Sequence, residues 1–150
     1  MSYYIIQTTL CSIGYEIENN LVKAIDFNPT KKANGIKSVL SEKVKNEIQK
    51  YLNLESDEID IPILLKATPF QKKVLESMKN IPYGKTMSYK QLAQSVGIPK
   101  GSRAVGNACG ANPLPLYFPC HRVVMSDGGL GGFSGGIQIK KQLLFLELKK

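Results

Sequence analysis

The sequence has few residues that could build a metal site or a disulfide framework. It contains one histidine and three cysteines, and none of the cysteines has CxxC spacing. Zinc sites take about four His, Cys or acidic ligands, and disulfide frameworks use an even number of cysteines. We therefore expect no metal and no disulfide, and we expect a reducing, cytoplasmic location.

Long apolar runs are also missing. No segment approaches the ~18 consecutive apolar residues that a membrane span needs. Residues 1–4 have neither a basic flank nor a long apolar segment, so the sequence predicts no secretory signal. At 43% hydrophobic, the 150 residues still contain enough apolar material for the core of one domain or of two small domains.

Acidic residues are scarce in the C-terminal part. Residues 67–150 have twelve Lys and Arg against three Asp and Glu, a net charge of +9. Residues 1–66 have eight Lys against nine Asp and Glu, a net charge of −1. A basic segment of this kind is typical of proteins that bind nucleic acid, but a solvated, lysine-rich surface explains it equally well.

The N-terminal part is predicted to form a small α/β unit that serves as a scaffold. β-branched and aromatic residues indicate strands, and apolar residues spaced by four indicate a helix. The predicted elements are strands over 3–10 and 21–27 with a hairpin turn at 18–20, a helix over 37–52, and a strand or extended linker over 59–65. None of these elements contains a catalytic pattern.

The C-terminal part is predicted to be mainly helical. Capping boxes at 68–71 and 88–91 each open a helix. Gly97 suits the C-terminus of the second helix, and Ser102 is predicted to cap a third helix that ends near Gly110. Two short helices joined by a tight turn that contains glycine form a helix-turn-helix.

The third helix has unusually small side chains. Ala104, Gly106 and Ala108 make it thin, which suits either a narrow DNA groove or close packing against another helix. Arg103 lies near its N-terminus, where a basic side chain and free backbone amides favour phosphate. Close packing explains the small residues, but it explains Arg103 less well.

A thiol stands beside the sole histidine in the segment Pro119-Cys120-His121-Arg122-Val123. A neighbouring imidazole is a common means of holding a cysteine as the nucleophilic thiolate. Alternatively, Cys120 is a small buried hydrophobe and His121 is a surface residue. Adjacent side chains on an extended strand point to opposite sides, so direct cooperation of this pair requires a turn.

A glycine-rich loop and a last helix complete the sequence. The loop at 128–136 matches neither GxGxxG nor a P-loop, so we expect no nucleotide cofactor. It is either a flexible linker or a wall that approaches a flat ligand, with Phe133 available for stacking. In the helix predicted over 137–150, Glu147 is either a boundary residue or a buried acid whose partner is His121.

Ordered motifs in the C-terminal part resemble the O6-alkylguanine-DNA alkyltransferase family of single-use DNA-repair proteins. The matching segments are, in family order, IPYG at 81–84, SY at 88–89, SRAVG at 102–106, NP at 112–113, PCHRV at 119–123 and SGG at 134–136. The resemblance implies an α/β (α+β) fold. It assigns 1–66 to a small RNase H-like domain, with a short antiparallel sheet plus a helix, and 67–150 to a winged helix-turn-helix domain.

The resemblance also implies an activity. Family members rotate the damaged base out of double-stranded DNA, because a stacked base cannot reach a buried thiol. They transfer the alkyl group of O6-alkylguanine to a cysteine, here Cys120, irreversibly and once per molecule. O4-alkylthymine is a second candidate substrate. This is methylated-DNA–protein-cysteine methyltransferase activity, expected from a monomer that needs neither a cofactor nor a membrane.

By the same resemblance, five residues have catalytic roles. Cys120 is the nucleophile, His121 activates it through a water molecule, and Glu147 stands behind the histidine. Asn112 braces this region by hydrogen bonds, and Tyr89 donates to guanine N3 as the base leaves. The roles of Glu147 and His121 follow the logic of the hydrolase triad, in which the acid orients the imidazole.

The resemblance further implies the contacts with substrate and with DNA. The substrate-binding residues are Tyr89, Cys120, Val123, Phe133, Ser134 and Pro115. The DNA-binding residues are Ser102, Arg103, Ala104, Gly106 and Tyr89, where Arg103 fills the gap left by the rotated base. Many relatives have tyrosine where this sequence has Phe133, so a hydroxyl contact is lost here. Cys109, on the same helix, is a candidate second alkyl acceptor.

Three other functions fit parts of the sequence. A damage sensor binds the lesion without transfer, but such proteins lack the nucleophile that Cys120 supplies. A helix-turn-helix regulator with a reactive cysteine predicts sequence-specific, dimeric DNA binding, whereas repair predicts monomeric and weakly specific binding. A cysteine hydrolase predicts turnover.

Overall fold

The computed structural model describes residues 1–149 and has a mixed α/β architecture. The elements in chain order are strands β1 (Ser2–Gln7), β2 (Ser12–Glu18) and β3 (Leu21–Phe27), helices α1 (Val39–Leu52) and α2 (Pro69–Met78), strand β4 (Met87–Ser88), helices α3 (Tyr89–Ser95) and α4 (Ser102–Gly110), strand β5 (Val123–Val124) and helix α5 (Ile137–Glu147). The predicted α/β class is confirmed at this level. No helix within the described range is long and apolar enough to cross a membrane.

The N-terminal sheet has three antiparallel strands in the order β1-β2-β3. The prediction of two strands is wrong, because the chain turns after Gln7 instead of continuing to residue 10. The hydroxyl of Thr8 closes this turn by donating to the carbonyl of Cys11 at 2.7 Å. The tight turn predicted at 18–20 is confirmed, although it joins β3 to the unpredicted strand β2 and not to the first strand. Asn19 and Asn20 have φ of 51° and 61°, the left-handed values that such tight turns need.

Strand β2 contains a glycine because a tyrosine ring crosses it. A Cβ atom at Gly14 would lie 1.9 Å from the hydroxyl oxygen of Tyr3. That hydroxyl passes over the strand and donates to Asp26 on β3 at 2.9 Å. The glycine therefore permits a hydrogen bond that joins the two outer strands.

Helix α1 packs on this sheet through the predicted apolar stripe. Leu40, Val44, Ile48 and Leu52 are all buried, as the spacing predicts. The helix begins two residues later than expected, because Ser38 and Ser41 form a reciprocal capping box. Tyr51 lies on the same buried side in the last turn.

The helix starts in the C-terminal part differ in their chemistry. The capping box of Ser88 and Gln91 is complete. Thr68 caps α2, but the side chain of Gln71 bonds the carbonyl of Ala111 at 3.0 Å instead of returning to the cap, so this box is half formed. The cap position of α4 is Gly101, and the prediction that Ser102 caps this helix is wrong.

Helices α2, α3 and α4 pack against one another. Helix α3 ends before Gly97, whose φ of 84° suits the predicted helix C-terminus. Helix α2 buries Val74, Leu75 and Met78, whereas Phe70 of the same predicted face is exposed. The buried apolar residues of both halves of the chain form one cluster.

Two contacts join strand β3 to residues of the C-terminal part of the chain. The amide of Ile25 donates to the carbonyl of Pro113 at 3.0 Å. The rings of Phe27 and Phe133 pack with centroids 5.4 Å apart. Helix α5 ends at Glu147, three residues before the predicted end, which lies outside the described residues.

Candidate active site

A cavity of about 870 Å³ lies between α3, α4 and the glycine-rich loop. Its volume is in the range of sites that enclose a small organic ligand. The predicted site residues that line it are Tyr89, Ser102, Arg103, Gly106, Cys120, Phe133 and Ser134. The structure therefore brings residues from four separate segments to one cavity.

The other predicted site residues do not line this cavity. Ala104 is exposed on α4. Asn112, Pro115, His121, Val123 and Glu147 are buried behind or beside the cavity wall. The carbonyl of Val123 already accepts a hydrogen bond of 2.6 Å from Nζ of Lys140.

A 3-10 turn at Cys120–Arg122 separates the thiol from the imidazole. The amide of Arg122 donates to the carbonyl of Pro119 at 3.0 Å, which closes the turn. As a result, Cys120 lines the cavity while the side chain of His121 is fully buried behind it. The 3-10 helix thus provides the turn that cooperation between Cys120 and His121 requires.

Glu147 lies at the centre of a buried hydrogen-bond network, and only 3% of its surface is exposed. Oε2 lies 2.5 Å from Nε2 of His121 and accepts from Nη2 of Arg122 at 3.1 Å. Oε1 accepts from Nε of Arg122 at 2.8 Å and from the amide of Gly84 at 3.0 Å. The hydroxyl of Tyr51 also donates to Oε2. Of the two alternatives, Glu147 is thus the buried acid and His121 is its partner.

These contacts keep the carboxylate charged. Burial alone would raise the pKa of Glu147, but hydrogen bonds from His121 and Arg122 outweigh burial and lower it to about 2. Burial lowers the pKa of His121, against the opposing effect of the carboxylate, so the imidazole is neutral near pH 7. A carboxylate can only accept a hydrogen bond, and Oε2 of Glu147 faces Nε2 of His121. We therefore assign the imidazole proton to Nε2.

This tautomer leaves Nδ1 of His121 as a hydrogen-bond acceptor. Nδ1 is buried and has no hydrogen-bond partner among residues 1–149. Buried polar atoms of this kind are usually satisfied by an ordered water molecule. The imidazole can therefore accept a proton on the side opposite to Glu147.

The thiol of Cys120 is protonated in this environment. Burial raises its pKa to about 11, although a hydrogen bond with Asn112 and the charge of Lys140 act in the opposite direction. Asn112 is itself held by two backbone groups, because Nδ2 donates to the carbonyl of Phe118 and Oδ1 accepts from the amide of Leu114, each at 3.0 Å. Because the thiol is neutral near pH 7, nucleophilic attack needs a base.

Two network residues were missed from the sequence. Tyr51 was not singled out, although it lies three residues after Ile48 of the apolar stripe. Arg122 lies within the quoted motif but was given no role. Such pairings connect residues far apart in the chain, so periodicity alone could not reveal them.

Lys140 was also missed, and it is a fully buried lysine. Burial lowers the pKa of its amine, and Nζ donates to the carbonyls of Val123 at 2.6 Å and Gly132 at 3.3 Å. It therefore ties the glycine-rich loop to β5. The sequence does indicate that Lys140 is buried, because Lys140, Leu143 and Glu147 share one side of α5 at spacings of three and four.

Cys109 also lines the cavity, and burial raises the pKa of its thiol to about 12. All three cysteines are free thiols. Within residues 1–149, no group of three or more His, Cys, Asp or Glu side chains is placed to hold a metal ion.

Comparison with known proteins identifies the family. The family model described as 6-O-methylguanine DNA methyltransferase, DNA binding domain, matches residues 69–149, which is more than half of the chain. The chain belongs to the O6-methylguanine-DNA methyltransferase family. Like this chain, a methylated-DNA–protein-cysteine methyltransferase of Methanosarcina barkeri is a member, and the two are 36% identical over 98% of this chain and 97% of the relative.

Other family members match one part or the whole of the chain. The Escherichia coli protein named bifunctional transcriptional activator/DNA repair enzyme Ada is 44% identical over 65% of this chain, but this chain spans only 28% of its length. The crystal structure of Mycobacterium tuberculosis OGT in complex with DNA superimposes with a TM-score of 0.88. That match is 30% identical and covers 98% of this chain and 93% of the other. The methyltransferase fold thus includes the N-terminal sheet, which the sequence motifs did not cover.

Proposed function

We propose that this protein repairs DNA by irreversible transfer of an alkyl group from O6-alkylguanine to Sγ of Cys120. The observation that carries the proposal is a buried thiol that lines a cavity of about 870 Å³, next in the chain to a histidine that is buried against Glu147. Membership of the methyltransferase family supports the same reaction. O4-alkylthymine is proposed as a second substrate.

The transfer proceeds as a single displacement. His121 takes the thiol proton at Nδ1 through a bridging water, and Glu147 stabilises the imidazolium that forms. Sγ of Cys120 then bonds to the alkyl carbon as the bond from that carbon to O6 breaks. Tyr89 donates a hydrogen bond to guanine N3, which offsets the negative charge that develops on the base. The proton that His121 took from the thiol then passes through solvent to N1 of the departing base, which restores keto guanine and leaves the imidazole neutral. Asn112 holds the chain around the thiol.

The cavity walls bind the extruded base. The carbonyl of Cys120 accepts from the exocyclic amine, and the amide of Ser134 donates to O6. The carbonyl of Val123 already accepts from Nζ of Lys140, so its role toward the amine requires its second lone pair. Phe133 lies on the cavity wall, where its ring packs on Phe27. Pro115 contributes indirectly, by stiffening the approach to the cysteine.

Helix α4 is proposed to dock on double-stranded DNA in the minor groove. Arg103 and Ala104 are exposed near its N-terminus, and Ser102 and Gly106 lie at the mouth of the cavity. Arg103 fills the gap that the rotated base leaves. A groove that distinguishes few sequences suits a protein that finds damage at any site.

Several finer features belong to this proposal. The chain divides into a scaffold domain at 1–66, RNase H-like in fold, and a transfer domain at 67–150 with a winged helix-turn-helix. The protein acts as a monomer without a metal or other cofactor. Its three free thiols fit a reducing compartment such as the cytoplasm.

A titration tests the proposal. Increasing amounts of protein are mixed with a fixed amount of duplex that carries one O6-methylguanine, and the remaining lesion is counted. We expect lesion loss to stop at one per protein molecule and to vanish in Cys120→Ser. Loss that continues beyond one per molecule indicates a hydrolase, and binding without loss indicates a sensor or regulator.

A further inference from the structure

A tyrosine from the N-terminal half reaches the buried histidine and its acid. Tyr51 lies in the last turn of α1 and is 1% exposed. Its hydroxyl lies 3.2 Å from Nε2 of His121 and donates to Oε2 of Glu147. We propose that Tyr51 is a positioning residue that sets the proton affinity of His121 during transfer to Cys120. This inference rests on the proposed function, in which His121 is the base.

The direction of the hydrogen bond follows from the proton count. Nε2 of His121 carries a proton that it gives to Oε2, so it has no lone pair to offer to Tyr51. The hydroxyl proton therefore goes to Oε2, the same atom that His121 uses. The hydroxyl of Tyr51, Nε2 of His121 and Nη2 of Arg122 thus share the charge of one carboxylate oxygen, and each weakens the hold of that oxygen on the others.

The surroundings make this hydroxyl the one neutral donor that can be removed cleanly. The titratable groups around the pair are Arg122 on the 3-10 turn, Lys140 on α5, Tyr83 after α2 and Tyr51 on α1. The first two carry charge, so their replacement changes the electrostatics of the whole site. The ring of Tyr51 packs edge-on against Tyr83 at 5.9 Å, a contact that phenylalanine keeps.

Removal of the Tyr51 hydroxyl strengthens the interaction between Glu147 and His121. With Tyr51→Phe, the charge on Oε2 of Glu147 acts on the Nε2 proton of His121 with one competitor fewer. A carboxylate that interacts more strongly stabilises the imidazolium, so the pKa of His121 rises. The neutral imidazole is the base, and the transfer rate therefore falls off at a higher pH.

The test is the pH dependence of methyl transfer under single-turnover conditions, with protein in excess over an O6-methylguanine duplex. We expect the acid limb to move up by about 0.5–1 pH unit in Tyr51→Phe. Tyr15→Phe is the matched control. Tyr15 is also 1% exposed in the N-terminal half, and its hydroxyl donates at 2.8 Å to the carbonyl of Ser41, which is outside the network of His121 and Glu147. This control should lose stability without any shift of the acid limb.

NMR of the unmodified protein supplies a second readout that does not depend on the activity of any variant. The chain has one histidine, so its NMR signals belong to His121 alone. In the unmodified protein we expect a slowly exchanging Tyr51 hydroxyl proton with a nuclear Overhauser contact to the Nε2 proton. This observation remains decisive if Tyr51→Phe does not fold.

The outcomes separate the two proposals. Transfer to Cys120 with an unshifted acid limb in Tyr51→Phe, or an equal shift in Tyr15→Phe, overturns the positioning role alone. Absence of the Tyr51 hydroxyl contact in the unmodified protein also overturns it. Absence of any transfer by the unmodified protein overturns the proposed function, and the positioning role with it.

Discussion

Nε2 of His121 lies 2.5 Å from Oε2 of Glu147, and neither side chain is more than 1% exposed. The acid comes from the last turn of α5, and the histidine from a 3-10 turn, 26 residues earlier in the chain. Their contact fixes the proton of the imidazole on Nε2, the nitrogen that faces Glu147. The opposite nitrogen is then free to act as a base for the thiol of Cys120.

Glu147→Gln should impair both chemistry and stability. A glutamine cannot stabilise the imidazolium, so we expect the transfer rate to fall by about 10²–10⁴-fold, the usual contribution of acid–base catalysis. It also leaves Arg122 buried without its counter-charge, which should lower the free energy of unfolding by about 3–5 kcal/mol. Single-turnover kinetics and urea unfolding measure the two effects. Glu76→Gln, at an exposed position on α2, is the control and should change neither quantity.

Glu147 should also give the protein a distinct acid sensitivity. Its pKa falls from about 4.5 in the unfolded chain to about 2 in the folded one, so the folded state favours the charged form. The stability that this difference contributes is complete above the unfolded pKa and is lost as the pH falls toward the folded pKa. Melting temperatures of the unmodified protein and Glu147→Gln should therefore converge between about pH 5 and pH 2. A difference that stays constant over this range would show that the carboxylate is not selectively stabilised.

Arg103→Ala should discriminate between paired and unpaired lesions. If Arg103 fills the gap left by an extruded base, its loss weakens the capture of O6-methylguanine in duplex DNA more than in single-stranded DNA. Transfer rates on both substrates at limiting protein measure this ratio. Equal losses on the two substrates would mean that Arg103 contributes only general attraction to phosphate.

Cys109→Ala should leave the stoichiometry of transfer unchanged. Cys109 lines the same cavity as Cys120, but burial raises the pKa of its thiol to about 12 and no imidazole lies behind it. We expect one methyl group per molecule with or without Cys109. Transfer of a second methyl group that disappears in Cys109→Ala would establish a second acceptor.

Seven of the site residues singled out from the sequence line one cavity, whereas Tyr51 and Arg122 of the buried network were not singled out. Helix starts can be predicted from neighbouring residues, as the complete capping box at Ser88 shows. The segment around Cys120 can likewise be recognised from its own residues. Strand β2 was missed although Ile13, Tyr15 and Ile17 alternate, because Gly14 interrupts the pattern. The glycine makes sense only once Tyr3 is seen to cross it.

Long-range contacts explain the remaining difference. Tyr51 meets Glu147 across 96 residues of sequence, and helical periodicity can place each on a buried side without pairing them. The position of Phe27 against Phe133 likewise depends on how the sheet packs beside the loop. Such pairs become visible only when the whole chain is folded.

The most direct test of this account is the mass of the Cys120 peptide after the protein is mixed with a duplex carrying one O6-methylguanine. We predict that one methyl group replaces the thiol hydrogen of Cys120, in an amount equal to the lesion lost, with no change in the Cys11 and Cys109 peptides. An unchanged Cys120 peptide, with the lesion either intact or removed, would contradict transfer to this thiol.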